Sequence, residues 1–375
     1  MDVLAGLSLA AALVLLAFSG SALAAPQSQT LLLASRAEFG GAAADGVQWI
    51  DGDFSGWELD SRGQARGEGY LTTEALEFAL PMTEIVASWN SRTPPGSKLR
   101  VEVRAQVARD LWTPWFSLAV WPNGNGTPGV RRDASGWVNE DTLVLREPAR
   151  RVQIRLTLTA SETGNSPRVG LLALVGSTSL TGSLVADSPA ASHLAWGKSL
   201  EVPFRSQRWE HPSISGRICG PTSLAMILEY FDRPLPTVAV AALAYDELND
   251  IYGNWPFLAA AAAEAGLASY VTRFPDWNGV EAEILAGHPV IISIRFGPGE
   301  LPGAPINSTS GHLLVVRGFT ETGDVLVNDP AAWNEETGRI AYDRKALLAA
   351  WKNGVAIPVL PAVSTVTALA QEPAQ

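Results

Sequence analysis

The chain has 375 residues, 47% of them hydrophobic and 17% charged, with 13 Trp, which is core material for two or three domains. A net charge of −11 and a pI near 4.9 exclude the basic stripe of a nucleic-acid binder and supply no attraction to anionic lipid. With one Cys and four dispersed His, and neither HExxH nor CxxC, there is no metal-ligand set; no glycine fingerprint for a nucleotide is present, so no cofactor is expected.

In chain order, residues 3–18 are almost wholly apolar and are followed by "SALAA", a small-x-small cleavage signal, so residues 1–25 read as a signal peptide. Asp2 stands where that pattern has Lys or Arg, which leaves an uncleaved anchor open. Either way the protein is expected to be secreted or held in the cell envelope. Residues 30–188 show short alternating runs: "LRVEVRAQV", "WFSLAVW", "RRVQIRLTLTA" and "RVGLLALVGS". These are separated by the turn clusters "SRTPPGS", "PNGNGTPG" and "SETGNSP". The pattern predicts an all-β, sandwich-like domain. Seven Trp fall in it, at 49, 57, 89, 112, 115, 121 and 137, and most are expected to fill the core. Exposed ones would give a stacking surface for cell-envelope polysaccharide. The acidic loop "WIDGDFSGWELD" is expected to be a solvated turn rather than a calcium site.

Residues 194–360 mix helices with strands. "PTSLAMILEYF", "WPFLAAAAAEAG", "NGVEAEILAGH" and "DRKALLAAWKNG" read as helices, the last capped by Asp343 and stopped by Gly354. "ASYVTRF", "PVIISIRF", "GHLLVVRGF" and "DVLVNDP" read as strands, the last two joined by "TETG". This is an α+β domain, and residues 361–375 form a disordered tail.

Chemistry centres on Cys219, the one thiol in the chain. Pro221 marks a helix start, which puts Cys219 at the positive end of the helix dipole, where thiolate is favoured. A thiol nucleophile needs a base, a group to orient the base, and oxyanion donors. His312 opens one strand and Asp329 ends the next, so a short hairpin brings them to the same end of adjacent strands. His211 is the rival base; His193 and His288 sit in turn-like surroundings. Asn328 beside Asp329 could orient a histidine too; strand alternation sends the two side chains to opposite faces, so only one of them can serve. Gln207, twelve residues before Cys219, could donate an amide N–H to an oxyanion together with the Cys219 N–H, and Trp333 could shield the His–Asp pair.

"VPFRSQ", "CGPTSLAMILEYF", "GHLLVVRGF" and "VNDPA", in that order, resemble the C39-like family of papain-fold cysteine peptidases. The resemblance spans residues 194–360, and "YDRKALLAAWKNG" is similar to the family's final helix. It implies a papain-like α+β peptidase domain in which Cys219 is the nucleophile, His312 the base, Asp329 the orienting acid and Gln207 the oxyanion donor. The region before it is similar to the β-rich region that precedes this domain in some exported bacterial proteins. The chain is therefore expected to be a free-standing, monomeric exported peptidase acting on peptide or protein substrates. An acyl transferase or amidase on the same triad, or a surface-binding protein using the β domain, are the alternatives.

Overall fold

A computed structural model of the chain describes residues 27–107, 111–123, 129–178, 183–186 and 193–361. The expected signal segment and all of the tail but Pro361 lie outside the described residues. The layout is two-domain and strand-rich.

Among the described residues of the N-terminal domain, twelve strands join in one hydrogen-bonded network. The alternating runs supply its long members: Lys98–Val107, Phe116–Trp121 and Arg168–Ser177. The run at 150–160 is the second half of an 18-residue strand, Thr142–Thr159. This strand changes partners along its length. It pairs with Leu76–Arg92 as far as Val152, while residues 151–159 pair with Lys98–Val107 on one side and residues 155–159 with Glu68–Thr72 on the other. Register shifts after Val144 and Ala149 allow the bend. Leu99, Val101, Val103, Ala105, Val152, Ile154, Leu156 and Leu158 are all buried, so the alternating face is the core face. A short helix, Ser61–Arg66, capped by Asp60 and ended by Gly67 in the left-handed region, was not expected.

The tryptophans depart from expectation. Trp89 and Trp121 are fully buried, but the other five are only half-buried. Trp49 and Trp57 still pack on Phe39 at the edge of the core, whereas Trp112, Trp115 and Trp137 face outward among arginines. Guanidinium groups cover these outward rings: Arg104 lies 4.7 Å from Trp112 and 4.5 Å from Trp115, Arg155 lies 4.5 Å from Trp115, and Arg132 and Arg146 flank Trp137.

The C-terminal domain is built on an antiparallel sheet in the order Ala268–Ser269, Val355–Leu360, Val290–Phe296, Thr309–Phe319, Val325–Asn328, Arg339–Tyr342. The helices Cys219–Tyr230, Trp255–Glu264, Trp277–Leu285 and Arg344–Ala350 match the four predicted ones. Helix Thr237–Leu243 and the strands Arg339–Tyr342 and Val355–Leu360 were not expected. "ASYVTRF" is not one strand. Ala268–Ser269 and Thr272–Arg273 each pair with Val355–Leu360, and between them the Val271 N–H leaves the ladder to donate to Ser88 Oγ of the other domain (2.9 Å).

The two domains share a buried junction. Trp89, Trp121 and Phe257 meet edge to face with centroids 5.3–6.2 Å apart. Asn90 bonds the Ser269 backbone twice, Nδ2 donating to its carbonyl (2.6 Å) and Oδ1 accepting from its N–H (3.1 Å). Arg273 pairs with Glu84 at 3.0 Å. Asn90→Ala would strand a buried N–H and C=O on the far side, so it should cost about 1–3 kcal/mol in a denaturant titration. A change below about 0.5 kcal/mol would mean that water or a shifted backbone replaces the bridge.

Candidate active site

Helix Cys219–Tyr230 begins at the thiol itself. Ile218 precedes it without a side-chain cap, so the first-turn amides face the sulfur end unmasked. Gly220 lets the helix approach its neighbours: a Cβ there would lie 2.8 Å from Leu258 Cδ1 and 2.9 Å from Leu313 Cδ1. Ser223 Oγ donates to the Leu313 carbonyl (3.2 Å), tying the helix to the strand that carries His312.

On that strand His312 is 4% exposed, and its Nε2 lies 2.7 Å from Asp329 Oδ1. The ring also meets the Cys219 thiol closely enough for each to shift the other's titration. Asp329, 1% exposed, also accepts from the Ala331 N–H (3.0 Å) and from the Tyr342 hydroxyl (3.2 Å). Asn328 points away, donating to the Val202 carbonyl at 3.0 Å. Cys219, His312 and Asp329 are thus brought together, His312 bonded to Asp329 and meeting the half-buried Cys219.

Burial pushes each of these groups toward its neutral form, and their contacts with one another overcome it. Burial raises the Cys219 thiol, but His312 and the Leu313 and Gly220 amides bring it below the usual thiol range. Burial would lower His312, but the Asp329 charge and hydrogen bond, with the Cys219 contact, raise it to about 10. Burial would raise Asp329; His312, the Ala331 amide and Tyr342 hold it below its ordinary value. The mutual contacts thus shift all three groups toward their charged forms.

Gln207 is buried and opens the short 3₁₀ turn Gln207–Trp209. Its Nε2 donates to the Ser215 carbonyl (2.7 Å) in the loop leading to Cys219, and its N–H donates to the Pro330 carbonyl (2.9 Å) beside Asp329. The amide keeps one N–H beyond that bond. Trp333 does not enclose the His–Asp pair; it is 60% exposed and meets Trp209. His211 is exposed and bonded to Ser213 Oγ, and His193 stacks on Trp196. His288 is buried with Nδ1 2.8 Å from Glu283 Oε2, a second His–carboxylate pair that the sequence did not suggest. Tyr342 was also missed, because nothing in "YDRK" says that its hydroxyl reaches a carboxylate two strands' connections earlier. Among the described residues no cluster of His, Cys, Asp and Glu could hold a metal ion.

Residues 199–356 match the model of the Peptidase_C39 like family, and residues 32–177 match that of the Peptidase C39 N-terminal domain. Residues 199–356 are thus a C39-like peptidase domain, preceded by the N-terminal domain that goes with it. Its class is cysteine-type peptidase, and the matched residues 199–356 contain Cys219, His312 and Asp329. No curated protein matches. Among solved structures, the C39-like domain is similar to a double glycine motif protease from an AMS/PCAT transporter, solved with a leader peptide. That alignment has 22% identity and a TM-score of 0.29, over 44% of this chain and 94% of that one. It is also similar to a protein described as a C39-like peptidase from Bacillus anthracis, at 19% identity and a TM-score of 0.30, over 44% of this chain and 97% of that one. Carbohydrate-binding modules of the β-sandwich superfamily align at 14% identity and a TM-score of 0.16, over 40% of this chain and 54% of theirs.

Proposed function

We propose that this chain is an exported, monomeric peptidase that hydrolyses peptide bonds through a Cys219–His312–Asp329 triad and a thioester intermediate. The observation that carries the reading is the ring of His312, held by Asp329 on one nitrogen at 2.7 Å and meeting the thiol. The fold proposed with it is a papain-like α+β domain behind a sandwich-like β domain. Export rests on the apolar segment 3–18 and the small-x-small site after it.

In the first half-reaction the Cys219 thiolate adds to the scissile carbonyl carbon. The oxygen takes up the charge, held by the Gln207 amide and the Cys219 N–H. As the tetrahedral adduct collapses, the C–N bond breaks and His312 gives its proton to the departing amine, leaving a thioester. In the second half-reaction water adds to the thioester while His312 takes its proton. The C–S bond then breaks and thiolate is restored. Asp329 keeps the ring in one orientation and offsets its charge.

Two measurements test the scheme. Stoichiometric alkylation of Cys219 by iodoacetamide should abolish peptide hydrolysis; activity that survived it would end the nucleophile assignment. Gln207→Ala should lower kcat about 10²–10³-fold with little change in the alkylation rate, the mark of a lost oxyanion donor. If Gln207→Ala left kcat unchanged, the oxyanion would have to be held by other groups.

A further inference from the structure

Two of the largest exposed apolar side chains of the described protein stand together. Trp209 is 74% exposed and Trp333 60%. Their rings meet edge to face at 6.0 Å, and Trp209 Nε1 donates to the Trp333 carbonyl at 2.7 Å. Water-exposed indoles held rigidly next to each other are costly unless something covers them.

Their mounting is continuous with the site. Trp209 ends the 3₁₀ turn that Gln207 begins, and Trp333 follows the tight turn that starts at Asp329, whose backbone carbonyl accepts from Ala332 N–H at 3.2 Å. The two segments are clipped together three times: Gln207 N–H to the Pro330 carbonyl (2.9 Å), Ser206 Oγ to the Ala332 carbonyl (2.5 Å), and Arg208 Nε to the Ala331 carbonyl (3.0 Å). Arg208 also lies over the Trp333 ring, 6.0 Å from its centroid. The platform therefore moves with the groups that hold the oxyanion and orient His312.

Direction follows from the chemistry. The proton that His312 carries goes to the departing amine, so the part of the substrate after the scissile bond must lie toward His312, Asp329 and the loop that follows. That loop carries Trp333.

We propose that Trp209 and Trp333 form a specificity platform for the leaving-group side of a peptide substrate, selecting an aromatic or large aliphatic residue just after the scissile bond. The inference rests on the peptidase reading for its direction. Both indoles act as specificity-determining residues that touch the substrate without taking part in bond making.

The test uses full-length protein and a peptide series with a fixed acyl side and Gly, Ser, Leu, Phe or Trp after the scissile bond. Wild type should cleave the Phe, Trp and Leu members with the lowest KM. Trp209→Ala and Trp333→Ala should each raise KM for those members about tenfold, leave the Gly and Ser members and the iodoacetamide rate at Cys219 unchanged, and flatten the preference. Trp→Phe at either position should restore part of it. If wild type cleaves the series without preference, or both Ala variants keep the preference, the platform is overturned while the peptidase reading stands. Binding of the same peptides to Cys219→Ala separates the two readings further. Tighter binding of the Phe member that is lost in Cys219→Ala/Trp333→Ala supports the platform even if wild type cleaves nothing, whereas equal binding of the Phe and Gly members overturns it.

Discussion

His312→Ala should lower peptide hydrolysis by at least about 10³-fold and also slow alkylation of Cys219 at neutral pH. The imidazole does two jobs that no neighbour can take over. In the proposed scheme it holds the proton that the thiol gives up and returns it to the leaving amine. The other three histidines are committed elsewhere: His193 to Trp196, His211 to Ser213 and His288 to Glu283. The pH dependence follows from the same contacts. The thiol ionises below its usual range and His312 stays protonated to about 10, so the productive ion pair exists between those limits. The rate should rise through an acid limb placed below the ordinary thiol pKa of about 8.5 and fall as pH rises through about 10. Stability follows by linkage. The His312 value is raised in the folded state, so its contribution is complete below about 6.5 and is lost as pH climbs from there through about 10. Asp329 is depressed, so its contribution is present above the ordinary carboxylate value and is lost as pH falls through the folded one. Rate profiles of wild type and His312→Ala check this. An alkaline limb that persisted in the variant would assign it to another group.

Glu281→Ala should destabilise the protein by about 3–5 kcal/mol without touching the active site. Glu281 is completely buried on helix Trp277–Leu285, with Oε1 2.8 Å from Arg344 Nη2 and 3.4 Å from Trp196 Nε1. Arg344 opens the last helix and lies among Trp196, Trp277 and Phe319, with ring centroids 5.6–5.8 Å away. Taking away the carboxylate leaves a guanidinium walled in by indole and phenyl rings, with its charge uncompensated. The cost is that of a stranded charge rather than of a lost bond. The double change Glu281→Leu/Arg344→Met should therefore recover most of the loss, because an apolar pair of similar volume removes both charges together. Chemical denaturation of the three variants measures this; a single-variant loss under about 1 kcal/mol would mean that solvent reaches Arg344.

Periodicity made much of this legible in advance. The run 168–177 is a strand to the residue, and Cys219, Gly220 and Pro221 announce a helix that starts where they stand. Alternation left only one of Asn328 and Asp329 able to face His312, and the resemblance, in which the acid precedes Pro, pointed to Asp329. What escaped is what depends on contacts across the domains or around the sheet. "ASYVTRF" alternates as a strand should, yet Val271 is drawn off by Ser88 of the other domain. The outward tryptophans read as core because a sequence shows the indole but not the arginine that covers it. Tyr342 gave no signal, since the strand that brings it to Asp329 was itself not foreseen.

The junction around Trp89, Trp121 and Phe257 changes what the word domain means for this molecule. Two family models divide the chain into a front and a back, as if each had its own history. Water does not recognise that division. Severed from the β-rich half, the catalytic half would carry a bare phenyl ring and an unmatched strand end at Ser269, and the other half would carry two naked indoles. The halves are two by family match but one by burial, so the β-rich half covers apolar surface that the C39-like half would otherwise expose to water.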